Sequence, residues 1–142
     1  MAIIKGYTTL MVQAVYEANA FYLGVQLATG VSCGPGTLLN LYSGSGVSSG
    51  SLTAKLADHS NSFWAHGFAL TSGSGTKVAG MAQKVRMDRV GRVTNVTYLT
   101  MSPGQTVYLG EDGKYAISGT QKVGFAVGAN DVFVDLDMQL GS

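Results

Sequence analysis

Asp58, His59 and Ser60 are the three residue types of a hydrolase triad, and they follow one another directly in the chain. A triad works only when nucleophile, base and orienting carboxylate converge in space, which adjacent residues of one loop do not do. The sequence therefore predicts that the protein is not an enzyme. A small hydrolase would instead need His59 or His66 to be hydrogen-bonded to a serine and an aspartate in a cleft.

Potential metal ligands are scattered along the chain. His59, His66 and Cys33 show neither CxxC nor HxxxH spacing, and a structural zinc site usually has four ligands. Asp131 and Asp135, with Asp137 after them, have the spacing of one strand face and not that of a calcium loop. We therefore expect no metal site and no cofactor.

Four of the nine basic residues lie between positions 84 and 92. Lys84, Arg86, Arg89 and Arg92 suggest phosphate binding, but Asp88 lies among them and the aromatic residues expected of single-strand binders are missing. A formal net charge of +1 likewise gives no general attraction to nucleic acid or to an anionic membrane. A solvated or partner-facing surface is the preferred interpretation.

Several aromatic side chains suggest a sugar-binding platform. Tyr7, Tyr16, Tyr22, Trp64 and Tyr98 are the candidates. Burial in a β-rich core is the ordinary role of such residues, and both interpretations remain open.

The second half of the chain has the pattern of strands joined by tight turns. Val107 and Leu109 alternate with polar neighbours, and Asp112-Gly113 is a dipeptide favoured in hairpin turns. Val132 and Val134 alternate with side chains of the opposite face, including Phe133, Asp135 and Asp137. The glycine-rich segments Ser43–Ser51 and Thr71–Thr76 are interpreted as flexible hairpin tips.

Residues 35–81 resemble residues 103–137 and look like a second copy of them. Pro35-Gly36 corresponds to Pro103-Gly104, and Lys55-Leu56-Ala57 corresponds to Lys114-Tyr115-Ala116. The third landmark is Gly-Phe-Ala-aliphatic, which occurs as Gly67-Phe68-Ala69-Leu70 and as Gly124-Phe125-Ala126-Val127. The same order of three landmarks predicts an internal duplication.

The N-terminal region has a different pattern. Residues 1–8 are predicted to form an extended arm. Thr9–Gly24 has helical spacing of apolar residues, although two strands are the rival interpretation. The sequence thus predicts a mainly β fold, a small barrel or sandwich built from two related halves, with one possible N-terminal helix. Residues 9–142 would form a single domain.

The composition suggests buried exterior surface. Of the 142 residues 46% are hydrophobic and only 12% are charged, against a usual fraction of about 25%. So few charges suggest that part of the exterior is covered by other subunits. The chain shows no run of about 18 apolar residues and no signal-peptide pattern, so we expect synthesis in a cytoplasm.

The chain resembles structural proteins of tailed-phage virions, and among them the small β-rich decoration (cement) proteins of the capsid. The resemblance covers roughly residues 60–137. It rests on the segments Ala65–Leu70, Val78–Gly80, Gly104–Leu109, Asp112–Lys114 and Val123–Val127.

This resemblance implies a homotrimer that binds the major capsid protein on the capsid exterior, after assembly in the host cytoplasm, and that stabilises the head. It implies no direct contact with nucleic acid or membrane. An alternative is a receptor- or glycan-binding module of a tail fibre or tail tip. The residues predicted to contact partners or other subunits are Ile3, Ile4, Tyr7, Phe21, Tyr22 and Trp64.

Overall fold

The computed structural model describes residues 23–44, 51–75 and 84–136, and within these ranges the chain forms strands and no helix. The mainly β prediction is therefore confirmed. No helix in these ranges is long and apolar enough to cross a membrane. The strands are β1 (Leu23–Leu27), β2 (Ser32–Cys33), β3 (Leu38–Gly44), β4 (Ser51–Leu56), β5 (Gly67–Ala69), β6 (Gly73–Ser74), β7 (Lys84–Asp88), β8 (Val90–Val93), β9 (Thr106–Leu109), β10 (Tyr115–Ala116), β11 (Lys122–Ala126) and β12 (Val132–Asp135).

Five strands of the first half form a closed barrel in the order β1-β4-β3-β5-β7. Four of its pairings are antiparallel, and the parallel pairing of β1 with β4, where Gln26 lies opposite Thr53, completes the ring. Apolar side chains fill the interior, as expected for a narrow barrel. They are Val25, Leu27, Leu39, Ala54, Ala69, Val85 and Met87.

The second half forms an open antiparallel sheet in the order β10-β9-β11-β12-β8. Val132 and Val134 are fully buried, whereas Phe133 and Asp135 lie on the opposite face, as the alternation predicted. Asp112 and Gly113 both have positive φ, 52° and 79°, and form the tight turn between β9 and β10. Gly at the second of these positions accepts that conformation without a steric penalty.

The barrel and the sheet have the same topology. When the five strands of each are numbered in chain order, both have the spatial order third, second, fourth, fifth, first. In the barrel the third and first strands pair; in the sheet their equivalents, β10 and β8, are the two edges. The two halves thus differ in closure and not in connectivity.

The predicted landmarks occupy equivalent positions in these two units. Gly36 and Gly104 both have a φ of 89°, and each donates a 2.7 Å backbone hydrogen bond, to Ala69 and Ala126 respectively. Register is conserved as well, with Leu38 opposite Phe68 in the barrel and Thr106 opposite Phe125 in the sheet. The Lys-x-Ala landmark is shifted, since Leu39 pairs with Leu56 but Leu109, not Val107, pairs with Tyr115. Origin by duplication stays a prediction.

A second core lies between the units and takes residues from both. Leu38, Ala57 and Phe68 of the barrel half pack with the inner face of the sheet, which includes Val107 and Val134. Backbone hydrogen bonds cross the same boundary from Leu38 to Gly113 (2.9 Å) and from Gly113 to Ala57 (2.6 Å). The outer wall of the barrel therefore covers the inner face of the open sheet.

Some predicted elements differ from the structure. Leu23 and Gly24, placed at the end of the possible helix, belong to strand β1. The Thr71–Thr76 segment is not a simple turn, because Gly73–Ser74 pairs with Ser32–Cys33. Residues 1–22, and with them the arm and most of the possible helix, lie outside the described residues.

Candidate functional site

The Asp58-His59-Ser60 sequence forms a turn. The Asp58 carboxylate accepts hydrogen bonds from the Ser60 amide (3.1 Å) and the Asn61 side-chain amide (2.9 Å). Hydrogen bonding to Glu111 and to Asn61 lowers the pKa of Asp58. The Ser60 hydroxyl donates to Glu111 at 2.6 Å, and the buried Nδ1 of His59 has no hydrogen-bond partner among the described residues. Asp58 and Ser60 therefore stabilise a loop.

His66 is part of the β-sheet hydrogen bonding. Its amide donates to the Leu39 carbonyl (2.8 Å), and its Nδ1 accepts from the Leu41 amide (2.9 Å). Nδ1 thus occupies the place that a carbonyl oxygen would take in a continued β3–β5 ladder. Burial lowers the pKa of His66, which favours the neutral ring that this bond requires.

The surroundings of Cys33 and Ser32 are those of structural residues and not those of activated nucleophiles. The thiol of Cys33 faces the Thr71 carbonyl at 3.9 Å, and burial raises its pKa, which disfavours a reactive thiolate. Ser32 lies in Gly30-Val31-Ser32-Cys33-Gly34, which has nucleophile-elbow spacing, but strand β2 leads into a turn and not into a helix. No group of three or more His, Cys, Asp or Glu side chains in residues 23–44, 51–75 and 84–136 could hold a metal ion.

The basic residues follow two consecutive strands. Lys84 and Arg86 are exposed on β7, where they alternate with buried Val85 and Met87. On β8, Arg92 forms an ion pair with Asp131. The cluster is thus spread along β7 and β8.

Trp64 is the one predicted contact residue that the structure describes. Its side chain is 38% exposed, and its carbonyl accepts a 2.8 Å hydrogen bond from Asn40. Next to it in the chain, the Phe63 ring lies under the Lys55 ammonium group, 3.4 Å from the ring centroid. Ile3, Ile4, Tyr7, Phe21 and Tyr22 lie outside the described residues.

A surface that the sequence did not single out lies on the outer face of the open sheet. We call it the outer row: Thr106, Phe125, Phe133 and Arg92, which lie opposite one another on four adjacent strands. The Phe125 and Phe133 ring centroids are 5.5 Å apart, and Phe125 is 44% exposed. This surface has an aromatic centre flanked by an ion pair.

The barrel contains the equivalent of this row in buried form. Leu38, Phe68 and Asp88 lie opposite one another on β3, β5 and β7, as Thr106, Phe125 and Phe133 do in the sheet. Phe68 is only 4% exposed, and a Cβ at position 91 would lie 2.9 Å from its ring. The same motif position is therefore covered by protein in one unit and open in the other.

A cavity of about 260 Å³ lies where the sheet would close if it were a barrel. We call it the seam cavity. It lies between the end of β8, continued by Thr94, Asn95 and Tyr98, and the β9–β10 hairpin, with Asp112 and Lys114. The Tyr115 amide donates to the Tyr98 hydroxyl oxygen (2.9 Å), so one tyrosine supplies the acceptor that a paired strand would supply.

No family model matches the chain, and neither the curated proteins nor the solved structures contain a match to it.

Sequence reasoning included Tyr98 among the aromatic candidates but missed Phe125 and Phe133 as surface residues. A signal for Phe133 was available, because it shares a strand face with Asp135 while the alternate face is aliphatic. Phe125 gave no such signal, since its Gly-Phe-Ala motif is the same as that of buried Phe68.

Proposed function

We propose that the protein is a non-enzymatic structural protein of a tailed-phage virion, which decorates and stabilises the capsid shell as a symmetric oligomer. The observation that carries this proposal is the exposure of Phe125 in the outer row, at the position where Phe68 is buried in the barrel. The barrel surface around Phe68 packs against the open sheet. The equivalent surface of the sheet, around Phe125, is uncovered and available for a partner.

The chemistry of the outer row supports protein contact. Aromatic side chains are enriched at the centres of protein interfaces, and charged groups are usual at the rim. Phe125 and Phe133 form such a centre. Val127, two positions after Phe125, is 40% exposed, and Arg92 of the Arg92–Asp131 ion pair lies opposite Phe133. Repetition by symmetry makes a small contact of this kind effective, because many weak contacts act together on one shell.

The residues whose types could take part in catalysis are compatible with the same structural role. Asp58, Ser60 and His66 are engaged in turn and sheet hydrogen bonds, which is their evident use in the fold. In this proposal the partners are the major capsid protein and further copies of the chain, as a homotrimer on the capsid exterior. The proposal includes no cofactor and no contact with nucleic acid or membrane.

The proposal is tested by light scattering and by co-sedimentation with emptied, expanded capsids. We expect a stable trimer that sediments with the shells. Phe125→Ser and Phe133→Ser should each weaken shell binding on the order of tenfold or more, since hot-spot aromatics contribute 2 kcal/mol or more. Leu52→Ser is the matched control, because Leu52 is 52% exposed on the barrel and lies outside the outer row.

A monomer that does not sediment with shells would refute the decoration role. Equal loss of binding in Leu52→Ser and Phe125→Ser would refute the assignment of the contact to the outer row.

A further inference from the structure

The seam cavity exists because one of two equivalent units is left open. In the barrel, β1 and β4 close the ring through parallel pairing, with Gln26 opposite Thr53 and Leu27 opposite Ala54. Their equivalents β8 and β10 do not pair with each other. The opening between them is bordered by polar side chains as well as by tyrosines.

Two hydrogen bonds position the tyrosines that line the cavity. The Tyr115 hydroxyl donates to the Gly36 carbonyl oxygen (2.6 Å), and the Tyr115 amide donates to Tyr98 (2.9 Å). Tyr98 is nevertheless 52% exposed, so a ring fixed by a hydrogen bond at its hydroxyl presents apolar surface to solvent. An aromatic ring held in this way offers stacking area at low entropic penalty.

The mouth of the cavity carries donors and acceptors of balanced charge. Asp112 and Asn95 are both exposed and both have positive φ, 52° and 68°, which fixes the backbone from which their side chains project. Lys114 lies on the same hairpin as Asp112, with its ammonium group 5.9 Å from the Tyr98 ring centroid. One acidic and one basic side chain give no net charge, which disfavours phosphate and other anions and favours a neutral ligand with many hydroxyl groups.

We propose that the seam cavity binds a single neutral sugar ring, such as the terminal residue of a glycan. The ring would stack on Tyr98, and its hydroxyl groups would bond to the Asp112 carboxylate, the Asn95 amide and the Lys114 ammonium group. A volume of about 260 Å³ lies just below the usual range of ligand sites and suits one ring and not a longer oligosaccharide. The site does not depend on the proposed capsid role, because it shares no residue with the outer row.

The test is a two-dimensional amide NMR titration of the full chain with individual neutral monosaccharides, including glucose, galactose and N-acetylglucosamine. For at least one sugar we expect chemical-shift changes that saturate with a millimolar dissociation constant. They should be concentrated at the amides of Asn95, Lys114 and Tyr115. Tyr98→Ala should weaken that binding on the order of tenfold, which corresponds to about 1.4 kcal/mol for the lost aromatic contact. Tyr108→Ala, which removes a tyrosine from the outer face of the sheet, is the matched control and should bind normally.

Asn95→Gly serves as a second variant, because glycine keeps the positive φ and removes only the amide. It should bind more weakly with an otherwise unchanged spectrum. Absence of shifts with every sugar would overturn the proposal, and so would shifts that persist unchanged in both Tyr98→Ala and Asn95→Gly. Because shell co-sedimentation does not enter this test, a failure here is distinguishable from a failure of the capsid role.

Discussion

The Tyr115 hydroxyl donates a 2.6 Å hydrogen bond to the carbonyl oxygen of Gly36, which lies 79 positions earlier in the chain. The bond joins β10 of the sheet to the turn that precedes β3 of the barrel. Tyr115 is only 5% exposed, and burial raises its pKa, so the hydroxyl remains a donor throughout the physiological pH range. This contact holds the two units together at the edge of the seam cavity.

Tyr115→Phe should therefore destabilise the protein without changing its packing volume. The variant leaves the Gly36 carbonyl oxygen buried without this donor, which costs about 1–3 kcal/mol. Chemical denaturation followed by fluorescence measures the difference. Tyr108→Phe is the control, since the Tyr108 hydroxyl makes no hydrogen bond within the described residues; an equal loss in both variants would contradict the role given to Tyr115.

Gly36 and Gly104 provide a matched pair in the two units. Both have a φ of 89°, but a Cβ at position 36 would lie 2.8 Å from Val93, whereas a Cβ at position 104 would meet nothing within 4 Å. Gly104→Ala should cost about 1–2 kcal/mol for the left-handed backbone alone, and Gly36→Ala about 1–3 kcal/mol more for the steric conflict. Thermal unfolding of both variants gives the comparison, and equal melting temperatures would be evidence against the close packing of the two units at Val93.

Gln121 spans the boundary between the units through both ends of its amide. Its Oε1 accepts from the Ala65 amide (2.8 Å), and its Nε2 donates to the Ala65 carbonyl (2.9 Å). Gln121→Ala should lower the free energy of unfolding by about 1–3 kcal/mol, because two backbone groups lose their partner. Lys122→Ala, at the exposed neighbouring position, should be close to neutral in the same urea titration.

Stability should decrease on acidification because of His66. The folded state lowers the pKa of His66 below its usual value of about 6.5, so the unfolded chain binds the proton more readily. The stabilisation that depends on neutral His66 is therefore fully present above pH 6.5. It is lost as the pH falls through that value toward the pKa of His66 in the folded state. Melting temperatures measured across this range should show less pH dependence in His66→Gln, whose side-chain oxygen can still accept from Leu41, while His59→Gln serves as the comparison.

Local patterns in the sequence identified much of the second unit. Alternation at Val132 and Val134 and the Asp112-Gly113 dipeptide depend on interactions between near neighbours, and they were sufficient to predict strands and a tight turn. Gly73–Ser74 was missed because its pairing with Ser32–Cys33 depends on contacts far apart in the chain.

The candidate surfaces were harder to predict for a related reason. Whether the phenylalanine of a Gly-Phe-Ala motif is buried depends on what covers it, and Phe68 is covered whereas Phe125 is exposed. The seam cavity likewise results from a missing pairing between β8 and β10, which no local pattern encodes. Tyr98 could be recognised as aromatic, but its position at that opening could not.

The core that lies between the barrel and the sheet has a consequence for how the molecule unfolds. A single residue, Arg89, separates β7 of one unit from β8 of the other, and Phe68 and Val134 belong to one continuous apolar cluster. Opening of either unit exposes the cluster that stabilises its neighbour, so the two are thermodynamically coupled. We therefore expect the two units to unfold as one cooperative unit, with slow hydrogen exchange on both sides of the boundary.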